Sequence, residues 1–448
     1  MNSELKISVS GVRGIVNESL TISVVCEFAQ SFGEFLKGGK VLVGMDTRIS
    51  NKLISGVVIS ALSSVGCDVI DLGFAATPTV LYLARKTNAK GAVIITASHN
   101  PSEWNGLKFV KSDGTFLTKD EFQKLYNIYK TKSFSLKTFS AIGEIKTDKK
   151  LADLYFRDIY KNINIALIKK KKFKIACDYC NGIGAVFTPS VLENLGCRVF
   201  EINKEIDGYF KHDPEPTPHN LKSLSRFVKK TRADIGFAQD PDGDRLAIVD
   251  EKGNALYGEI VLALCIKYIL SEKRGPVAVN LSTSSVIDDI CEEYGVKLYR
   301  SPVGEANVVQ LMKNKKVLVG GEGNGGLIYP KINIARDSFV AIGIILEYMA
   351  KTSKTISELV AEIPAYVMSK YKFKISFDKQ KAMFKKMETL FQKYEIDRQD
   401  GIKIILGKRE WLHLRASNTE PIVRLIIETK TEVKNKEIYN KIKNILGV

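Results

Sequence analysis

Apolar residues along this chain recur in two rhythms, and the alternation between them sets the architecture. Short apolar runs at 40–45 (KVLVGM), 92–96 (AVIIT), 173–177 (FKIAC), 235–238 (IGFA), 277–280 (VAVN) and 317–320 (VLVG) read as buried strands. Segments with helical spacing fall at 53–64, 80–86, 186–194, 221–229, 286–294 and 307–313. A further strand precedes the second helix of each group, at 66–70, 196–200 and 295–299. Strand, helix, strand, helix, strand thus occurs three times. Such alternation with short connections predicts α/β domains whose sheets are mixed but mainly parallel, with helices on both faces.

In each repeat the last strand runs into a loop of unusual composition: TASHNP (96–101), DPDGDR (240–245) and GGEGNGG (320–326). Ligands in open α/β sheets bind beyond the carboxyl ends of strands. Three loops at equivalent places therefore predict three walls of one central cleft. Hairpin-like stretches follow the first two loops, turning at Asp113-Gly114 and at Gly253-Asn254. From about Tyr366 the rhythm changes to strands at 371–376, 402–406, 411–415 and 422–427, with helices around 382–393 and 434–445. This tail predicts a smaller α+β domain carrying RASNTEP (415–421) between two strands. The expected division is 1–148, 149–251 and 252–364 for the α/β domains and 365–448 for the last.

Length agrees with several domains, since 448 residues exceed what one core holds. A hydrophobic content of 45% with 26% charged residues is that of an ordinary soluble globular protein. The N-terminal MNSELKISVSGVRGIV lacks the regions of a signal peptide, and no apolar run approaches the ~18 residues of a membrane span. A cytoplasmic protein with no membrane partner is expected. Seven cysteines, an odd number, argue for reduced thiols. Cys177 and Cys180 form a close pair with no second pair to complete a zinc site, and both read as structural. The net charge of +17 raises nucleic-acid binding, but only 15 of the 67 basic residues are arginine and the lysines are spread along the chain. The one dense run, at 169–172, has no aromatic interleaving. A lysine-rich solvated surface with no nucleic-acid partner is the better reading, and its positive field suits a small anionic substrate.

The loops carry the chemistry. Asp240, Asp242 and Asp244 alternate with Pro241 and Gly243, which let the backbone fold sharply and bring carboxylates together. Like charges that close repel unless a cation sits among them, and all-oxygen ligation selects Mg²⁺ or Ca²⁺. The plain alternative is an acidic solvated turn. An EF-hand is excluded: its sixth loop position must be glycine and here is Arg245, and the flanks read as strands. Ser98 ends an apolar strand, followed by His99 and Asn100, outside any Gly-x-Ser-x-Gly elbow. Serine near a hard cation fits phosphoryl transfer better than acyl transfer, a strand-end turn being the alternative. Arg415, Ser417, Asn418 and Thr419 offer the donors a phosphate needs.

Taken together, TASHNP, DPDGDR, GEGNGG and RASNTEP, in that order, with Gly11-Val-Arg-Gly14 near the start, resemble the α-D-phosphohexomutase superfamily along the whole chain. The resemblance implies three related α/β domains and a fourth closing over a cleft. It implies a serine, here Ser98, that carries a phosphoryl group. It makes Asp240, Asp242 and Asp244 the ligands of one Mg²⁺, with an oxygen of the phosphorylated Ser98 completing the site. Arg13, Lys108 and Arg245 would face the same phosphate. Glu322 and Asn324 would grip sugar hydroxyls, and Arg415, Ser417, Asn418 and Thr419 would cradle the phosphate that is not transferred. The implied reaction interconverts sugar 6-phosphate and sugar 1-phosphate through a sugar bisphosphate, which also serves as activator. Many relatives carry Ser-Gly-His where this chain has Asn324-Gly325-Gly326, which leaves His99, Lys108 and Arg13 as alternative proton acceptors. The GEGNGG form and the upstream PVGEAN (302–307) most resemble members assigned as phosphoglucosamine mutases, with phosphomannomutase or phosphoglucomutase as the alternative. A monomer or homodimer is expected. A metal-dependent phosphatase and a basic binding protein are the competing classes.

Overall fold

The computed structural model describes residues 5–417 and 421–446. The chain packs as two compact units, one made of Met1–Val261 and Asn324–Glu358, the other of Leu262–Gly323 and Leu359–Val448.

In the first unit, strand Gly39–Met45 pairs in parallel with Cys67–Phe74 on one side and Gly91–Ile95 on the other. Trp104–Lys111 then runs antiparallel to Gly91–Ile95 and to Gly11–Ile15. A second sheet repeats the plan: Lys174–Asp178 lies in parallel between Arg198–Ile202 and Ile235–Gln239, and Leu246–Val249 returns antiparallel. In the second unit Val277–Asn280 lies in parallel between Leu298–Ser301 and Val319–Glu322. The strand order second, first, third therefore occurs three times, once in each of the repeats that the apolar rhythm predicts.

Gly91–Ile95 is buried at every position, which a strand covered on both faces requires. Helices Ile22–Leu36 and Asn51–Ser64 close one face of that sheet, where Phe28, Phe32, Val58 and Leu62 meet Val41, Val43, Val93 and Ile95. Each such side chain contributes about 1.5–3 kcal/mol on burial. The tail is a five-stranded antiparallel sheet, Val367–Lys374, Ile422–Thr429, Glu410–Ala416, Ile402–Gly407 and Glu395–Asp397. Its core includes Leu412, Leu414, Leu425 and Ile427 with Met383 and Met387 from helix Phe377–Leu390.

Some elements differ from the sequence expectation for identifiable reasons. Helix Thr77–Lys86 begins before its apolar spacing does, because Pro78 fits the first turn, where a missing N–H costs little. Helix Ser338–Thr352 is buried nearly all round, which erases the polar stripe that would reveal it. The lysine run lies in the last turn of helix Ile165–Lys171, where cations offset the negative end of the helix dipole. No helix among the described residues is long and apolar enough to cross a membrane.

Candidate active site

Strand Ile235–Gln239 delivers the acidic loop, and Gly243 takes its bend at φ 73°. Every aspartate of the loop is held by one carboxylate oxygen. Asp240 Oδ1 accepts from the backbone N–H of Asp244 and of Arg245, at 3.1 and 3.0 Å. Asp242 Oδ2 accepts from Lys108 Nζ and Thr77 Oγ1, both at 2.6 Å. Asp244 Oδ2 accepts from Arg336 Nη2 at 2.5 Å. The other oxygen of each, Asp240 Oδ2, Asp242 Oδ1 and Asp244 Oδ1, is buried and has no hydrogen-bond partner.

The three side chains present ligand atoms within 4.8 Å of one another, the only such acidic, histidine or cysteine group among the described residues. Buried acceptors without donors are costly, and three of them converging from adjacent carboxylates fit a bound divalent cation. The protonation pattern agrees. Burial, and then the charges on Asp244 and Asp242, push Asp240 well above the carboxylate range. Burial also opposes the charge on Asp242, yet the Lys108 ammonium and the Thr77 hydroxyl hold it well below that range.

Strand Gly91–Ile95 delivers Ser98 in the left-handed region, at φ 52°. An L-residue holds that conformation at a cost and needs surroundings that enforce it. Buried Arg48 supplies them. Its Nη2 donates to the carbonyls of Ser98 and Asn100, both at 2.7 Å, and its Nη1 to those of Pro101 and Trp104, at 2.5 and 2.8 Å. Asp46 takes the Arg48 Nε–H and the Thr96 hydroxyl on the same oxygen. Thr96 Oγ1 in turn accepts from the Ser98 N–H at 2.8 Å.

Around Ser98 stand several of the residues expected from the sequence. His99 Nδ1 is 3.4 Å from Ser98 Oγ. Burial, reinforced by the charges of Arg245 and Arg13, lowers the His99 pKa to about 2, so the ring is neutral. Arg13 Nη1 donates to Asn100 Oδ1 at 3.3 Å while its charge acts on Asp242 and Asp244. Arg245 reaches Glu215 at 3.5 Å, and its Nε is buried without a hydrogen-bond partner. The serine loop and the acidic loop therefore share one cationic setting within the first unit. Asn324, half-buried in the same unit, keeps a side-chain oxygen without a partner.

In the second unit Glu322 Oε1 accepts from Asn280 Nδ2 at 2.8 Å and from the Gly304 N–H at 3.1 Å. Arg415 Nε donates to Asp400 Oδ2 at 2.6 Å, and the same oxygen takes the Val303 N–H at 2.9 Å. The peptide of Val303 and Gly304 thereby links the two expected substrate residues. Ser417 is held by its backbone N–H to the Ile422 carbonyl at 3.0 Å. Asn418 and Thr419 lie outside the described residues. Cys177 and Cys180 are free and buried, and burial pushes both thiols up.

Matches to known proteins run along the chain in four parts. Family models described as phosphoglucomutase/phosphomannomutase match in order: alpha/beta/alpha domains I, II and III over residues 4–136, 153–253 and 257–366, and the C-terminal domain over 372–445. The chain belongs to the phosphoglucomutase/phosphomannomutase family. A Thermococcus kodakarensis phosphoglucomutase/phosphomannomutase is 37% identical over 436 residues, covering 95% of each chain. A probable phosphoglucosamine mutase from Methanopyrus kandleri is 34% identical, covering 98% of this chain and 96% of the relative. A solved phosphoglucomutase/phosphomannomutase family protein from Burkholderia thailandensis superposes with a TM-score of 0.85 at 24% identity, covering 98% of each chain, which shows the fold.

Within this chain, three contributors escaped sequence reasoning. Thr77, Arg48 and Arg336 lie far along the chain from the groups they hold. No local motif marks Thr77 or Arg48. Arg336 alone had a signal, since it directly precedes Asp337, which caps helix Ser338–Thr352 by accepting from the N–H groups of Phe339 and Val340.

Proposed function

We propose that this chain is a phosphohexomutase that interconverts hexose 6-phosphate and hexose 1-phosphate, with glucosamine 6-phosphate as preferred substrate. The observation that carries the reading is the pairing, in one unit, of a strand-end serine with three buried aspartates that each turn one oxygen without a hydrogen bond toward the others. Ser98 carries the phosphoryl group. The Ser98 Oγ–phosphorus bond breaks as a sugar hydroxyl takes the phosphoryl group, giving a bisphosphate. The bisphosphate turns over, and Ser98 receives the other phosphate.

Asp240, Asp242 and Asp244 would hold one Mg²⁺, which when bound offsets charge on the transferring group. Lys108, Arg13 and Arg245 supply fixed positive charge toward the same group. Neutral His99 faces the serine hydroxyl and can accept its hydrogen bond. Glu322 and Asn324 bind sugar hydroxyls, and Arg415 with Ser417, Asn418 and Thr419 binds the resting phosphate. The protein acts in the cytoplasm on free sugar phosphate, as a monomer or homodimer, without nucleic acid.

The name of the Methanopyrus relative supports glucosamine phosphate, while that of the Thermococcus relative supports mannose or glucose phosphate as the second reading. Rates on the three sugar 6-phosphates, each started with a trace of the matching bisphosphate, decide between them. The fastest turnover is expected with glucosamine 6-phosphate; faster turnover of mannose or glucose 6-phosphate overturns that preference. Net release of inorganic phosphate from substrate would instead mark a phosphatase.

A further inference from the structure

Arg336 is placed on the acidic loop by more than its own contact. Asp337, next to it, is buried and takes hydrogen bonds from Tyr155, Asn333 and two backbone N–H groups of the helix it caps. Ser338 then donates its hydroxyl to the Gly243 carbonyl at 2.6 Å and accepts from Gln239 Nε2 at 2.7 Å. Residues on both sides of Arg336 are thus fastened, and its guanidinium meets Asp244 with its side chain 10% exposed.

The space that Arg336 fills belongs to another position. A Cβ at Gly326 would stand 2.4 Å from Arg336 Cδ and 2.8 Å from its Cγ, in the middle of the arginine stem. Position 326 is where the resemblance places a histidine in many relatives. A side chain there requires the stem to shift, and the expected consequence is that Nη2 leaves Asp244.

We infer that Arg336 is the residue that sets metal selectivity at the acidic loop, and that Gly326 is required to make room for it; the inference rests on the reading of the three aspartates as metal ligands. The physical reason lies in denticity. With one oxygen of each aspartate engaged by backbone N–H groups, by Lys108 and Thr77, or by Arg336, each carboxylate has a single oxygen left to give. Three monodentate oxygens suit a small octahedral cation that keeps waters, whereas Ca²⁺ takes six to eight oxygens and is favoured by bidentate carboxylates. The N–H groups on Asp240 belong to the loop backbone, and Asp242 has two donors. Asp244 depends on Arg336 alone among the hydrogen bonds seen at its Oδ2. Releasing Arg336 leaves at that oxygen only the Lys108 ammonium, 3.8 Å away and beyond hydrogen-bond reach, and so lets it chelate.

The ratio of Ca²⁺ to Mg²⁺ affinity isolates this effect, because removing one positive charge changes the attraction for both divalent ions alike. Competition calorimetry on purified full-length protein measures the ratio for wild type, Arg336→Ala, Gly326→Ala and the double variant, with circular dichroism as the folding check. The wild type is expected to prefer Mg²⁺. Arg336→Ala is expected to move the ratio toward Ca²⁺ by about 10-fold or more, the scale of losses at residues that orient metal ligands. Gly326→Ala should move it the same way, and adding it to Arg336→Ala should change nothing further, since the stem it collides with is gone. Should Arg336→Ala fail to fold, Arg336→Gln, which keeps part of the stem but cannot reach Asp244, gives the same reading. An unchanged ratio in a folded Arg336 variant that still binds Mg²⁺ overturns the inference, as does an additive effect of the two substitutions. A folded wild type that binds neither ion sinks the metal reading itself, a distinct outcome.

Discussion

Ser98 holds a backbone conformation that only its neighbours explain. Its φ of 52° is sustained by Arg48, which donates to three carbonyls of the serine loop and to that of Trp104 at the start of the next strand, and pairs with Asp46. Replacing Arg48 with Met would keep much of the stem and leave Asp46 as a buried charge without its cation. Breaking such a pair typically costs about 3–5 kcal/mol. Urea unfolding of Arg48→Met is expected to show a loss of that size together with lower activity, and a loss below about 0.5 kcal/mol, the scale of surface substitutions, would show that the clamp is not needed. The serine and the aspartates were legible in the sequence because their chemistry is concentrated in six-residue motifs. Arg48, Thr77 and Arg336 were not, because their partners lie 50, 165 and 92 residues away.

Among the elements, the loop between strand Arg198–Ile202 and helix Lys222–Thr231 carries a charge that the local sequence does not announce. His212 Nε2 faces Asp178 Oδ2 at 3.0 Å, and its Nδ1 faces the Asp213 carbonyl at 2.8 Å. Both partners are acceptors, so both ring nitrogens carry protons. Burial opposes the charge, but the contacts with Asp178 and Cys180 raise the His212 pKa to about 11. The Cys180 thiol is itself pushed up by burial. A raised folded pKa contributes stability that is complete below the ordinary histidine value of 6.5 and is lost as pH rises toward about 11. The stability gap between wild type and His212→Gln should therefore be wider at about pH 6 than at about pH 9. A gap that does not change with pH would show that folding leaves the His212 pKa at its ordinary value, and a gap that widens as pH rises would show a ring held neutral.

At the scale of the whole molecule, the threefold recurrence was legible because buried parallel strands read as unbroken apolar runs, while the order of strands in each sheet is set by pairings that no local run shows. Helix Ser338–Thr352 was hidden by the same property, since an element buried all round has no periodicity to detect. The two units divide the expected labour. One holds the serine, the acidic loop and the cations around them; the other holds Glu322 and Arg415, joined through Val303, Gly304 and Asp400. The account stands or falls on Ser98 carrying phosphate. Purified protein treated with a sugar bisphosphate, then analysed by intact mass and peptide mapping, is expected to carry one phosphate on Ser98 and none in the Ser98→Ala variant. Active protein that never carries phosphate on Ser98, even after bisphosphate treatment, would contradict it.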